Sequence, residues 1–357
     1  MARVIAGRSL GRRYGRYALM LALLVSLPAC SSVARVSGQG GIHTSNSSIG
    51  KFYAADLPLS AIPGTLIRSE PLSYGISASA AKVPFGNGYR ILYVSQNSNG
   101  VAMLCGGMLF VPNLPTSAPR PVVAWAHPVI GPNNGAPSRS ATPLASMEPW
   151  LSEMMRRGWV VVATDYSGVG SNDQQWLNGA AEARDVVNSV LAARAFRNSK
   201  AGSSWAAWGY SYGGHAALWS GELAGSLAGN TGELHLVGVA TVAPVAELVP
   251  LENAYGGSLA ASLLAETPPP LPPNVPVFIA QGTADHTVIP STTALLEDQW
   301  CRAGSTITVL WMPKVTHRGA VAAASQTAVN WLADRFKGQL ARRTCNTSPP
   351  VKPARAP

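Results

Sequence analysis

The chain lacks the residue groupings that build metal centres. Its 357 residues contain four cysteines and six histidines, with no Cys-x-x-Cys pair and no His/Cys cluster, which leaves no zinc arrangement to assign. Charge is also scarce, at 12% of residues, and acids are the scarcer sign, 17 against 27 basic side chains. No basic run interleaved with aromatics occurs in the middle of the chain, so nucleic-acid binding has no footprint here. A comfortable membrane span is missing too. The run "YALMLALLVSLPAC" falls short of the ~20 apolar residues that cross a bilayer. No internal repeat is present.

What is there begins with an export signal. Five arginines (Arg3, Arg8, Arg12, Arg13 and Arg16) and no acid precede or flank that apolar run, and they account for half of the formal charge of +10. A basic segment, a short apolar core and small residues make residues 1–29 a signal peptide. The core ends in Leu27-Pro28-Ala29-Cys30, which resembles the lipobox of bacterial lipoproteins. That resemblance implies a lipidated Cys30 and attachment to a membrane; the alternative is a plain secretory signal. Residues 30–50 are rich in Ser, Gly and Asn and read as a flexible tether. Beyond residue 338 the chain turns polar, basic and proline-rich, and the expectation is a loose tail over 338–357. Cys105 lies in an apolar run and is expected to be a buried thiol. Cys301 and Cys345 are the candidate disulfide of an oxidising compartment.

Between these ends lies the folded part, residues 51–337. "YRILYVS" and "VAMLCGGMLFVP" flank an Asn-Gly turn and predict an antiparallel hairpin. The pattern then changes. "PVVAWAH", "WVVVATDYSG", "SSWAAWGYS", "LHLVGVATVAP", "VPVFIAQGTAD" and "TITVLWMP" are short apolar runs, and segments of helical character such as "AAEARDVVNSVLAARAF" alternate with them. This alternation predicts an α/β fold with a mostly parallel sheet and helices on both faces. The N-terminal hairpin adds an antiparallel edge. A small helical cap is expected over about residues 244–274.

One motif carries chemistry. Gly209-Tyr210-Ser211-Tyr212-Gly213 sits between a predicted strand and a predicted helix. A serine hydroxyl is a weak nucleophile and needs a base, an acid to orient the base, and amides to hold the oxyanion. A sharp strand-to-helix turn exposes the serine, and glycines let the helix pack close. On this fold the partners follow in the order serine, acid, histidine. Asp285 follows the strand "VPVFIAQG", whereas Asp298 and Asp334 fall within helices. His317 follows "TITVLWMP" in a loop before the last helix. His215 lies on the helix behind the serine and reads as a packing or surface residue. Asp165 ends a strand but precedes the serine, and reads as a loop organiser. One oxyanion amide is expected from Tyr212. The other belongs to the loop "AHPVIGPNNG". Pro128 has no N–H, which leaves His127, Val129, Ile130 or Gly131; Val129 is the choice and Ile130 the runner-up.

These segments, in this order over roughly residues 51 to 337, resemble the secretory lipase family of the α/β-hydrolases. The resemblance implies a Ser211, Asp285, His317 triad acting on carboxylic esters with no metal or cofactor. Tyr212 stands where the family more often has glutamine. Only about 31 residues separate "VATVA" from "VPVFIA", so the cap is smaller than that of the fungal members, which implies short to medium acyl chains. A serine peptidase of the same fold and a non-catalytic anchored binding protein are the alternatives. The first lacks a visible domain to fix a peptide terminus, and the second would have lost a triad member.

Overall fold

The computed structural model describes residues 48–73, 83–129, 137–139, 147, 150–168, 175–228, 234–254, 256 and 260–357. The expected signal peptide, Cys30 and the expected tether up to residue 47 lie outside these, as does Ile130. Among the described residues no helix is long and apolar enough to cross a membrane.

Among the described residues nine strands form one sheet: β1 (Leu66–Pro71), β2 (Gly86–Gln96), β3 (Ala102–Pro112), β4 (Arg120–Ala126), β5 (Val160–Thr164), β6 (Ala201–Tyr210), β7 (His235–Val242), β8 (Val277–Gly282) and β9 (Ile307–Met312). Their order is β1-β2-β3-β5-β4-β6-β7-β8-β9. The pairs from β1 to β5 by way of β2 and β3 are antiparallel, and every pair from β5 to β9 is parallel. The hairpin is antiparallel, as predicted, with Gln96 opposite Ala102. Its turn is closed by the Asn97 side chain, which accepts from the Asn99 and Val101 amides at 3.0 Å. Gly100 takes the left-handed backbone there, which is why that position favours glycine. Strand β1 was not separable by pattern. Its sequence "LIRSEP" has no alternation, and it forms only by pairing with β2 at the edge.

The parallel strands are buried on both faces, so their runs are continuously apolar. On one face pack α2 (Trp150–Arg156) and α8 (His317–Phe336), around Trp125, Trp150 and Trp208. On the other pack α3 (Gly179–Ala195), α4 (Tyr212–Ala228) and α7 (Pro290–Arg302). Helix α1 (Ser48–Tyr53) seats Phe52 and Tyr53 against Leu92. Asn178 caps α3, its side chain accepting from Ala181 N at 3.0 Å. Two short helices, α5 (Leu248–Ala254) and α6 (Ala260–Ala265), lie between β7 and β8.

The C-terminal segment is not loose. Thr344 N donates to Ile307 O at 3.0 Å, and Val309 N donates to Thr344 Oγ1 at 2.9 Å. Thr308 Oγ1 donates to the Arg342 carbonyl, and Ala354 N reaches Ser291 O at 2.9 Å. The physical reason is that β9 is an edge strand whose backbone groups need partners, a demand that the tail's polar composition does not reveal. Cys345 is bridged to Cys301 with the Cα atoms 5.5 Å apart, and Cys105 is buried and free. The bridge closes a separation of 44 residues, for which loop-closure entropy gives an upper value of about 4 kcal/mol. Replacing both cysteines by serine is expected to cost about 2–4 kcal/mol in chemical denaturation, and adding reductant to the native protein should reproduce the same shift.

Candidate active site

The parallel strands end at one rim of the sheet, where the loops of such folds carry ligands. Strand β6 leads into α4 through Ser211, whose φ is +56°. A left-handed backbone is strained for serine, and strain of this kind is typical of an elbow that projects a side chain. The turn is pinned on both sides. Ser211 N donates to Val242 O at 2.9 Å, and its carbonyl accepts from Gly214 N at 2.9 Å and Val245 N at 3.1 Å. The two motif glycines are required by space. A Cβ on Gly209 would come within 2.1 Å of the Gly213 carbonyl oxygen, and one on Gly213 within 1.9 Å of the Ala126 carbonyl oxygen.

The structure brings Ser211, His317 and Asp285 together. His317 Nε2 lies 3.0 Å from Ser211 Oγ, and His317 Nδ1 lies 2.8 Å from Asp285 Oδ2. These contacts span 106 and 32 residues of sequence. Asp285 is buried and held by its own turn, for Oδ1 accepts from Thr287 N at 2.8 Å and Val288 N at 2.9 Å. Gln281 Nε2 reaches Oδ2 at 3.3 Å, and Thr293 Oγ1 fixes that amide by donating to Gln281 Oε1 at 2.8 Å. His317 differs slightly from expectation. It is the first residue of α8, with Thr316 at the N-cap, instead of a loop residue ahead of it. The helix N-terminus therefore fixes its backbone.

Tyr210, a neighbour that sequence reasoning did not weigh, covers that imidazole. Its ring lies 5.0 Å from the His317 ring at a 33° tilt, and its hydroxyl donates to the His317 carbonyl at 2.9 Å. Burial and then the Asp285 charge raise its pKa, so the hydroxyl stays a donor.

Tyr212 is the first residue of α4 and is buried. Val129 leaves β4 with its side chain exposed. Asp165 does organise a loop, accepting from Ser138 N at 2.9 Å and from the Ser138 hydroxyl. His215 is not a surface residue. It is fully buried, with Nδ1 2.6 Å from Glu182 Oε2 and Nε2 2.7 Å from the Glu266 carbonyl. Burial lowers its pKa, but the Glu182 carboxylate and the Glu266 carbonyl outweigh burial and leave the pKa raised. Glu266 also accepts from Gly179 N at 2.8 Å through its carboxylate. The end of the segment after α6 is thus fastened to α3 and α4, a link no local pattern signals.

The sequence and the fold have counterparts in known proteins. The model of the secretory lipase family matches residues 137–268 and 269–343, more than half of the chain. The chain belongs to the secretory lipase family. It is therefore a hydrolase of the lipase and esterase kind. Among solved structures it is similar to Candida antarctica lipase A, with 16% identity, a TM-score of 0.62, and 87% of this chain and 88% of that one covered. It is similar as well to the rice cell wall degrading esterase LipA from Xanthomonas oryzae, with 16% identity, a TM-score of 0.61, and 78% and 100% covered. At such identity these two speak for the α/β-hydrolase fold. A comparison with curated proteins finds no match.

Proposed function

We propose that this secretory lipase family member is an exported serine carboxylesterase, held at a membrane through Cys30, that hydrolyses esters of short to medium acyl chains through an acyl-enzyme. The observation that carries the reading is the continuous contact from Ser211 Oγ through the His317 ring to the buried Asp285 carboxylate. In the reaction, His317 Nε2 takes the Ser211 proton as Oγ attacks the ester carbonyl. Asp285 holds Nδ1–H and stabilises the imidazolium. Amides of Tyr212 and Val129 receive the oxyanion. The imidazolium then protonates the leaving alcohol. Water, activated by the same ring, attacks the acyl carbonyl and frees the acid and Ser211. No metal or cofactor enters.

The chain-length preference follows from the cap. Its described helices have seven and six residues, and a cap of only about 31 residues favours a short acyl site. The similar structures include both a lipase and an esterase by name, and a short cap favours the second behaviour. The test is a fluorophosphonate probe followed by p-nitrophenyl esters of two to sixteen carbons. Expected are covalent labelling of Ser211 and a kcat/KM maximum between about four and eight carbons. Labelling elsewhere overturns the mechanism; a maximum at sixteen carbons overturns the chain-length reading alone.

A further inference from the structure

The serine, histidine and aspartate do not account for the buried aromatic residues between β4 and α4. His127 directly follows β4 and is 4% exposed. Its Nδ1 stands 2.6 Å from the carbonyl oxygen of Pro128. A carbonyl can only accept, so Nδ1 donates to it, and the Asp165 backbone is a second hydrogen-bonding partner of the ring. Burial outweighs these two backbone contacts and pushes the pKa of this ring down to about 4, which leaves it neutral with one proton, and the 2.6 Å contact to the Pro128 carbonyl places that proton on Nδ1. The carbonyl of His127 accepts in turn from the Tyr166 hydroxyl at 3.1 Å. The His127 and Tyr166 rings pack with centroids 4.6 Å apart, and Tyr166 meets the Tyr212 ring edge-on at 5.4 Å and 85°.

Two successive carbonyls at the exit of β4 are therefore each held by a side-chain donor. The peptide unit between Pro128 and Val129 is planar and trans, so its N–H points opposite to its carbonyl. Holding the Pro128 oxygen against the His127 ring turns the Val129 N–H away from that ring. The loop also touches the elbow. A Cβ on Gly213, in the first turn of α4, would approach the Ala126 and His127 carbonyl oxygens to 1.9 and 2.7 Å.

We propose that His127 is the positioning residue of the oxyanion hole, its Nδ1–H bond to the Pro128 carbonyl fixing the direction of the Val129 amide, with Tyr166 bracing that loop against Tyr212. This rests on the reading of Ser211 as nucleophile. His127 touches no reacting atom. It acts on the transition state through the peptide it holds, so its loss falls on kcat and spares ground-state binding.

The test uses the full chain, p-nitrophenyl butyrate, and a trifluoromethyl ketone that adds to the serine as a tetrahedral alkoxide. His127→Leu is expected to lower kcat about 100-fold, keep KM within about three-fold, and weaken the ketone by the same factor as kcat. His127→Asn places an amide N–H near the lost Nδ1–H and should recover about ten-fold or more of that loss. Tyr166→Phe keeps the ring contacts and loses only the hydroxyl, and should lower kcat by about five- to twenty-fold. An unchanged kcat in His127→Leu overturns the proposal, as does a loss carried by KM with ketone affinity intact, or a folded His127→Asn with no recovery. Should His127→Leu fail to fold, Tyr166→Phe decides, and an unchanged kcat there overturns it. Turnover persisting in Ser211→Ala would instead sink the reading beneath it, so the two failures are told apart.

Discussion

Ser211→Ala is expected to lower p-nitrophenyl ester turnover by about four to six orders of magnitude while leaving a folded protein. The side chain removed is one hydroxyl at a strained position. Its described partner is His317 Nε2 at 3.0 Å, and the imidazole keeps its bond to Asp285. Nothing in the core is opened, and the amides that pin the elbow, from Ser211 N to Val242 O and from Val245 N to Ser211 O, belong to the backbone. The φ of +56° adds a control. Ser211→Gly relieves a left-handed strain of about 1 kcal/mol, so it should be as inactive as alanine and melt no lower than the wild type. The measurement is kcat/KM on p-nitrophenyl butyrate beside a thermal melt. Activity within about ten-fold of wild type in the alanine variant would assign the nucleophile elsewhere.

Asp285→Asn comes next in size, with an expected loss of about 10⁴-fold in kcat and little change in fold. The direction follows from how the carboxylate is held. Oδ1 accepts from Thr287 N and Val288 N, and an amide oxygen keeps both bonds. The asparagine NH₂ must then face His317 Nδ1. A donor there forces the imidazole proton onto Nε2, toward Ser211, so the ring donates where it should accept. Gln281 Nε2, 3.3 Å from Oδ2, makes matters worse by meeting a second donor. Asp285→Ala is the comparison. It leaves the tautomer free and should be less damaged than asparagine at high pH, where the imidazole is neutral in either case. Equal pH profiles for the two variants would remove the tautomer argument.

The elbow was legible in the sequence because its glycines are demanded locally, by a helix packed against a strand in the same short stretch. Asp285 and His317 were legible because a parallel sheet sends its strand ends to one rim, so position after a strand stands in for distance. The supports were not legible. His127 was weighed only as an amide donor, since its bond to Pro128 depends on ring orientation. Tyr166 lay unnoticed beside Asp165, because its partners are 39 and 46 residues away and arrive from β4 and α4. The burial of His215 depends on Glu182 and Glu266 arriving from separate segments. The tail misled for another reason. Its composition describes its own solubility, while its placement answers the unpaired edge of β9.

That placement bears on how the molecule must mature. The segment that covers β9 is synthesised after it, and the clasp at Cys301 and Cys345 locks only where oxidant is present. A cell interior that keeps thiols reduced would leave the final strand able to exchange its cover for the same strand of another copy. Yield of single, well-behaved molecules should therefore depend on the compartment chosen for expression, and a fusion appended after Pro357 would have to leave that clasp free to close.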